Sequence, residues 1–222
     1  MARLRNSSRL RRKAATPGLD ETVLVLGEQG YFALDPARLF GRRAPLEVEL
    51  GAGKGDFLLA QAAVRPEHDF LAVELNEALA RLLALGAWRR RLDNVRVVPA
   101  DARSLIGLFL PAQAVAAYHV YFPDPWPKRR QRKRRFFTPA LASGLARTLR
   151  AGGLVYYASD WREYADAMAD ALAAAGLVPA PEQACAGAQT GYGRKYLAEG
   201  RTLYQGVFRA PSDAPLAVAQ RI

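Results

Sequence analysis

The stretch LEVELGAGKGDF, residues 46–57, runs an apolar–acidic alternation into three glycines and then into an amphipathic segment. Read in order, it predicts a strand over 46–50, a turn whose backbone conformations suit glycine, and a helix over 56–64. The same order recurs outward along the chain. Short apolar runs predict further strands over 70–73, 95–98, 115–120 and 154–158, and amphipathic stretches predict helices over 76–91, 102–108, 139–149 and 161–175. Thr138 is placed to cap a helix that begins at Pro139, and Gly152-Gly153 to stop it. Trp161, Tyr164, Ala165, Met168, Ala169 and Leu172 fall on one helical stripe, which reads as core. Strands alternating with helices imply right-handed crossovers and an α/β fold: a mostly parallel, doubly wound sheet with helices on both faces.

Composition limits the partners. A chain of 222 residues, 50% hydrophobic and 24% charged, suits a single globular domain. We expect a basic arm over 1–20 and one domain over 21–222. The net charge of +11 points to a polyanionic partner, nucleic acid before an anionic membrane surface. The single cysteine, Cys185, excludes an internal disulfide and a cysteine-based zinc cluster, and His68 and His119 suggest no metal site. The cations near the amino terminus precede no apolar export segment, and no apolar run approaches the roughly 18 residues of a membrane span. The expectation is a cytoplasmic protein with no metal and no membrane association.

In parallel sheets ligands bind outside the carboxyl ends of the strands, so the residues there carry the chemistry. Glu49 and the loop Gly51-Ala52-Gly53-Lys54-Gly55 end the first strand. A dinucleotide fingerprint needs its third glycine one place later, where this chain has Asp56, which repels a pyrophosphate. Glu74 ends the second strand, where a carboxylate can accept from both hydroxyls of a ribose, or cap the next helix. Asp101 ends the third, as an acceptor for an adenine amino group or as a cap. Asp124 follows the fourth, held between Pro123 and Pro125. Seven cations in eight positions come next: Lys128, Arg129, Arg130, Arg132, Lys133, Arg134 and Arg135. Such a block costs self-repulsion and reads as a phosphate track.

Taken together, FPDPWPKRR (residues 122–130), ELGAGKGDFL (49–58) and ASDWREYADAM (158–168) resemble the bacterial tRNA (guanine-N7-)-methyltransferase family over about residues 49–208. The resemblance implies a Rossmann-like class I methyltransferase fold and S-adenosylmethionine as methyl donor. It implies tRNA as partner and, as target, the guanine at position 46 of the variable loop. By the same likeness Glu49, Gly51, Gly53, Glu74, Asp101 and Asp124 would contact the cofactor, with Asp124 also the active-site acid. Lys128, Asp160, Thr190 and Tyr192 would meet the substrate, and Arg129, Arg130, Arg132, Lys133, Arg134 and Arg135 the RNA. The family allows a monomer or a homodimer. One departure stands out: the family closes its site with T-x-[FY]-E, and residues 190–193 here are T-G-Y-G, with Gly193 in place of the acid.

Guanine N7 carries a lone pair and no proton, so such a reaction needs positioning rather than a strong base. A carboxylate can accept from guanine N1–H and N2–H together, which suits Asp124. Trp126 and Tyr192 are candidates to stack on the base or to pack the loop. Two other readings fit the sequence: a methyltransferase for another RNA such as rRNA, and a nucleic-acid-binding module with a degenerate cofactor site.

Overall fold

The computed structural model describes residues 34–212, so the arm expected at 1–20 and its boundary lie outside the described residues. The strands are β1 (Leu46–Leu50), β2 (Asp69–Glu74), β3 (Val95–Pro99), β4 (Val115–Tyr121), β5 (Leu149–Ser159), β6 (Val178–Pro179) and β7 (Tyr204–Arg209). They form one sheet in the order β3-β2-β1-β4-β5-β7-β6. β1 to β5 pair in parallel, and β7 runs antiparallel between β5 and β6. The order reverses between β1 and β4, which opens the crevice where ligands bind in such sheets.

Helices cover both faces. On one face lie the short helix α4 (Ala102–Ser104), which continues as a π-helical turn over Leu105–Phe109, and then α5 (Pro139–Thr148) and α6 (Arg162–Ala174). Leu105, Ile106, Leu141, Leu145, Tyr164, Met168 and Leu172 bury against Val48, Leu71, Val73 and Val155 there. The other face carries α2 (Asp56–Val64) and α3 (Glu77–Arg89), whose Leu58, Leu59, Leu83 and Ala87 pack on Phe70, Ala72, Val95 and Val97. Each leucine, isoleucine, valine, phenylalanine or methionine among them contributes about 1.5–3 kcal/mol when fully buried. A further short helix, α1 (Pro36–Phe40), precedes β1, and α7 (Gly191–Ala198) precedes β7.

The expected boundaries shift where tertiary pairing competes with local signals. Thr138 does cap α5, accepting from the Leu141 amide at 3.2 Å. The helix stops at Thr148, not at the glycine pair, because Leu149 pairs with Val115 and opens β5. The register then jumps, so that Ala117 pairs with Leu154. Gly152, at φ 70°, lies in the resulting bulge inside the strand. The stripe on α6 is core at Tyr164, Ala165, Met168 and Leu172, whereas Trp161 precedes the helix and is 43% exposed.

β1 reverses a common inference. Apolar–acidic alternation ordinarily marks a half-exposed strand, yet all five residues of LEVEL are buried, Glu47 and Glu49 included. Two carboxyl groups therefore lie inside the protein on the face opposite Val48, and their surroundings decide what each can do.

Candidate functional site

Glu47 and Glu49 sit two residues apart on one face of β1 and meet opposite environments. Glu47 receives both arms of Arg65, at 2.7 and 2.9 Å, the His68 ring at 2.8 Å and His119 Nε2 at 2.9 Å. Burial alone would raise its pKa, but the His119 hydrogen bond and the Arg65 charge outweigh that and bring it to about 2. Burial pushes His119 below the usual imidazole range against the pull of Glu47. The arrangement that satisfies every group is an anionic Glu47 with Arg65 as counter-ion and a neutral His119. Nε2–H of that ring donates to Glu47, and Nδ1 accepts from the Tyr121 hydroxyl at 3.0 Å. His119 also stacks on Tyr156 at 5.0 Å, so it is a satisfied core residue.

Glu49 has no such partners. Burial drives its pKa up to about 8, a backbone hydrogen bond from Leu58 opposes the rise, and the charges of Asp56 and Glu74 add to it. Its Oε2 is buried without a hydrogen-bond partner. An acid in that state lacks a cationic group to offset its charge. S-adenosylmethionine, the donor implied by the family resemblance, carries an ammonium and a sulfonium, so the orphaned oxygen fits it.

The loop after β1 is built to approach a ligand. Gly51, Gly53 and Gly55 all have positive φ, at 77°, 57° and 79°. A Cβ on Gly51 or Gly53 would meet nothing within 4 Å, whereas one on Gly55 would collide with Leu83. Gly55 thus serves packing, and the other two leave open space beside the backbone. The amides of Gly51 and Ala52 donate to the Val73 carbonyl at 2.8 and 3.1 Å. Glu74 Oε2 accepts from the Gly53 amide and Oε1 from the Asn76 amide, both at 2.8 Å. Glu74 therefore ties the loop to the end of β2 and keeps acceptor capacity on both oxygens for a vicinal diol. Asp101 realises the capping alternative: it accepts from the Arg103 amide at 2.9 Å and pairs with the Arg103 side chain at 2.8 Å. That pairing holds its carboxyl below the usual range.

β4 leads into the loop that bears Asp124. The residues flanking Pro123-Asp124-Pro125 are Phe122 and Trp126, at φ 52° and 40°. Left-handed backbone costs a non-glycine residue on the order of 1–3 kcal/mol, and such strain clusters at functional sites. Asp124 is exposed and makes no hydrogen bond or ion pair among the described residues. Because β1 to β4 are parallel, Glu49, Glu74, Asp101 and Asp124 all lie at one edge of the sheet.

The cationic run divides in a way its composition does not foretell. Residues Arg129–Arg134 form a 3-10 helix, so side chains three apart share a face. Arg132 and Arg135 accordingly both reach Glu163, at 3.4 and 2.6 Å. Arg134 lies over the Trp126 ring at 3.8 Å. Lys128, Arg129, Arg130 and Lys133 are exposed. Arg135 departs from the expected phosphate track: it is 8% exposed, with its guanidinium turned inward.

The remaining candidates are already engaged. Asp160, just past β5, pairs with Arg201 at 2.7 Å, and that guanidinium lies 4.5 Å from the Tyr196 ring. Thr190 caps α7, accepting from the Gly193 amide and donating to the Gly187 carbonyl, each at 2.9 Å. Tyr192 is 58% exposed beside Tyr196, whose ring packs edge-on against Phe122 at 5.3 Å. A Cβ on Gly193 would run into the Gly187 carbonyl oxygen and lie 2.9 Å from Ala188 Cα, so the backbone has closed over the space a side chain would use. Sequence reasoning missed Arg201, Glu163 and the Glu47–His119 network, because each depends on a partner distant in the chain.

A family model described as "Putative methyltransferase" matches residues 43–205. A tRNA (guanine-N(7)-)-methyltransferase of Halorhodospira halophila is 36% identical over 196 residues, covering 84% of this chain and 83% of that protein. Proteins of the same name from Alkalilimnicola ehrlichii and Methylococcus capsulatus are 41% and 44% identical, and the matches span only 60% and 61% of their lengths. Among solved structures, a 16S rRNA (adenine(1408)-N(1))-methyltransferase from Catenulisporales acidiphilia superposes with a TM-score of 0.56 at 19% identity, over 82% of this chain and 94% of that one. That likeness is one of fold. No described helix is long and apolar enough to cross a membrane, and no group of described residues has the makings of a metal site.

Proposed function

We propose, because this chain belongs to the family of bacterial tRNA (guanine-N(7)-)-methyltransferases, that it methylates N7 of a guanine in tRNA, the guanine at position 46 of the variable loop. S-adenosylmethionine, when bound, supplies an electrophilic methyl group on a sulfonium. Glu49 accepts from the donor's cationic end and gives up its proton as it does so. Glu74 accepts from the ribose hydroxyls while holding the Gly53 amide, and the open faces of Gly51 and Gly53 admit the nucleoside.

Asp124 accepts from N1–H and N2–H of guanine. That contact aligns N7 with the methyl carbon and places negative charge beside a base that becomes cationic. The N7 lone pair would take up the methyl group without N7 losing a proton, so no residue of this chain has to act as a base. Lys128, Arg129, Arg130 and Lys133 hold tRNA phosphates, and Arg134, stacked on Trp126, extends the same surface.

The observation that carries this reading is an exposed, unpaired carboxylate on a loop bracketed by two left-handed residues. Asp124→Asn tests it, since the amide cannot accept from both guanine donors. Single-turnover methylation of unmodified tRNA should slow on the order of 100-fold, with the product located by borohydride and aniline cleavage at N7-methylguanine. A rate near wild type would remove Asp124 from this role.

A further inference from the structure

The strained loop around Asp124 needs something to hold it. At its start the Phe122 amide donates to the Ala158 carbonyl on β5 at 2.8 Å. At its end the Arg135 Nε–H donates to the Pro125 carbonyl at 2.8 Å. That carbonyl belongs to the peptide entering Trp126, the residue at φ 40°. Two proline rings fix φ at 123 and 125, so the Arg135 hydrogen bond removes much of the freedom that remains, the rotation of the Pro125–Trp126 peptide. Arg135 is in turn fixed on three sides. Its two terminal nitrogens donate to Glu163 Oε1 and Oε2 at 3.0 and 2.6 Å, and its plane lies 4.7 Å from the Tyr164 ring. The Tyr164 hydroxyl accepts from the Phe137 amide at 2.9 Å, which anchors the chain two residues beyond Arg135.

We infer that Arg135 and Glu163 are positioning residues, a brace between the first turn of α6 and the Pro125 carbonyl that sets where the Asp124 carboxylate points. The inference rests on the reading of Asp124 as the group that orients guanine. Arginine suits the task because its planar fork serves the carbonyl and the carboxylate at once, which a single ammonium cannot do. The brace ties the Asp124 loop to α6, where Glu163 lies three residues after Asp160.

The test uses Arg135→Lys and Glu163→Gln in the full chain, alone and combined with Asp124→Asn. Single-turnover methylation at saturating tRNA and donor should fall on the order of 100-fold, the effect of misplacing a reacting group by about 1 Å. Donor affinity should be unchanged and the salt dependence of tRNA binding should not flatten, since Glu163→Gln also releases Arg132 and can only steepen it, a separation that a general loss of structure would not give. Adding either substitution to Asp124→Asn should cost little more, because both act through the same carboxylate. Should Arg135→Lys fail to fold, Glu163→Gln provides the same readings with the arginine retained.

A flattened salt slope with weakened tRNA binding would make Arg135 a phosphate contact and overturn the brace. So would full multiplicative loss in the combined variants. The two readings fail separately. A near-wild-type Asp124→Asn protein overturns the role of Asp124 and the brace with it, whereas a slow Asp124→Asn protein beside fast Arg135→Lys and Glu163→Gln proteins overturns the brace alone.

Discussion

Replacing Glu49 by glutamine should make the ligand-free protein more stable and less able to bind its methyl donor. Glu49 titrates near 8 in the folded protein against an ordinary 4.5. Between these values the folded state keeps a proton that the unfolded chain has lost, so folding stability falls as pH rises, by about 1.4 kcal/mol per pH unit. The stabilisation of the neutral acid is fully present below pH 4.5 and gone above pH 8. At pH 7 the accumulated penalty is about 3 kcal/mol, a large part of a typical folding free energy. Glu49→Gln keeps the size and an acceptor for the Leu58 amide but cannot titrate. Urea unfolding of both proteins at pH 5, 6, 7 and 8 should show the variant gaining steadily on the wild type. Calorimetry at pH 7 in buffers of different ionisation heat should show the wild type releasing a proton on binding S-adenosylmethionine. The variant should bind more weakly and release none from this position. A stability difference that does not change between pH 5 and 8 would refute the reasoning, because it would mean that Glu49 is ionised in the free protein.

Glu47 gives the opposite sign: its pKa is lowered to about 2, so its stabilisation is present above 4.5 and is lost as pH falls towards 2. That loss amounts to about 3 kcal/mol; acid unfolding of the wild type should be steeper in this window than that of Glu47→Gln, which starts less stable because Arg65 loses its counter-ion and one of the two acceptor oxygens shared by Arg65, His68 and His119 is gone. Replacing Arg130 and Lys133 by glutamine should lower the slope of log affinity against log salt by roughly 0.7 to 0.9 per lost phosphate contact, leaving donor affinity intact when measured by calorimetry. Gly193→Glu, which restores the residue type the family carries there, should destabilise the protein by about 1–3 kcal/mol through overpacking against Gly187 and Ala188. Thermal melting of Gly193→Ala and Gly193→Glu checks this, and a gain in methylation by the glutamate variant would count against it.

Much of the frame was legible because its causes are local. Apolar runs and glycine spacing located the five parallel strands to within a residue or two at most ends, and the span expected for α2 matches the helix, although Phe57, Leu58 and Leu59 are buried in succession rather than on one apolar stripe. The segment after residue 175 carried weaker patterns: β7 owes its form to pairing with β5, β6 to pairing with β7, and α7 to capping by Thr190. The glycines at 152 and 153 looked like a helix stop; the end of α5 was decided instead by Val115, 34 residues earlier in the chain, which takes Leu149 into the sheet.

The sequence by itself determined that four acids would stand at the carboxyl edge of a parallel sheet, that one would be set between prolines, and that a cationic run would follow. Those properties depend on residue order and on period. Only the tertiary structure decided which charges are available. Glu47 and Glu49 are the same residue in the same alternation, but Arg65 and His119 converge on the first, whereas the second has a backbone amide and no cationic partner among the described residues, with its Oε2 left unbonded. Arg135 belongs to the same run as Arg130, yet it is withdrawn from the surface by Glu163, 28 residues away. The ionisation and reach of a side chain depend on its desolvation and on its partners in space, and neither is fixed until the chain has folded.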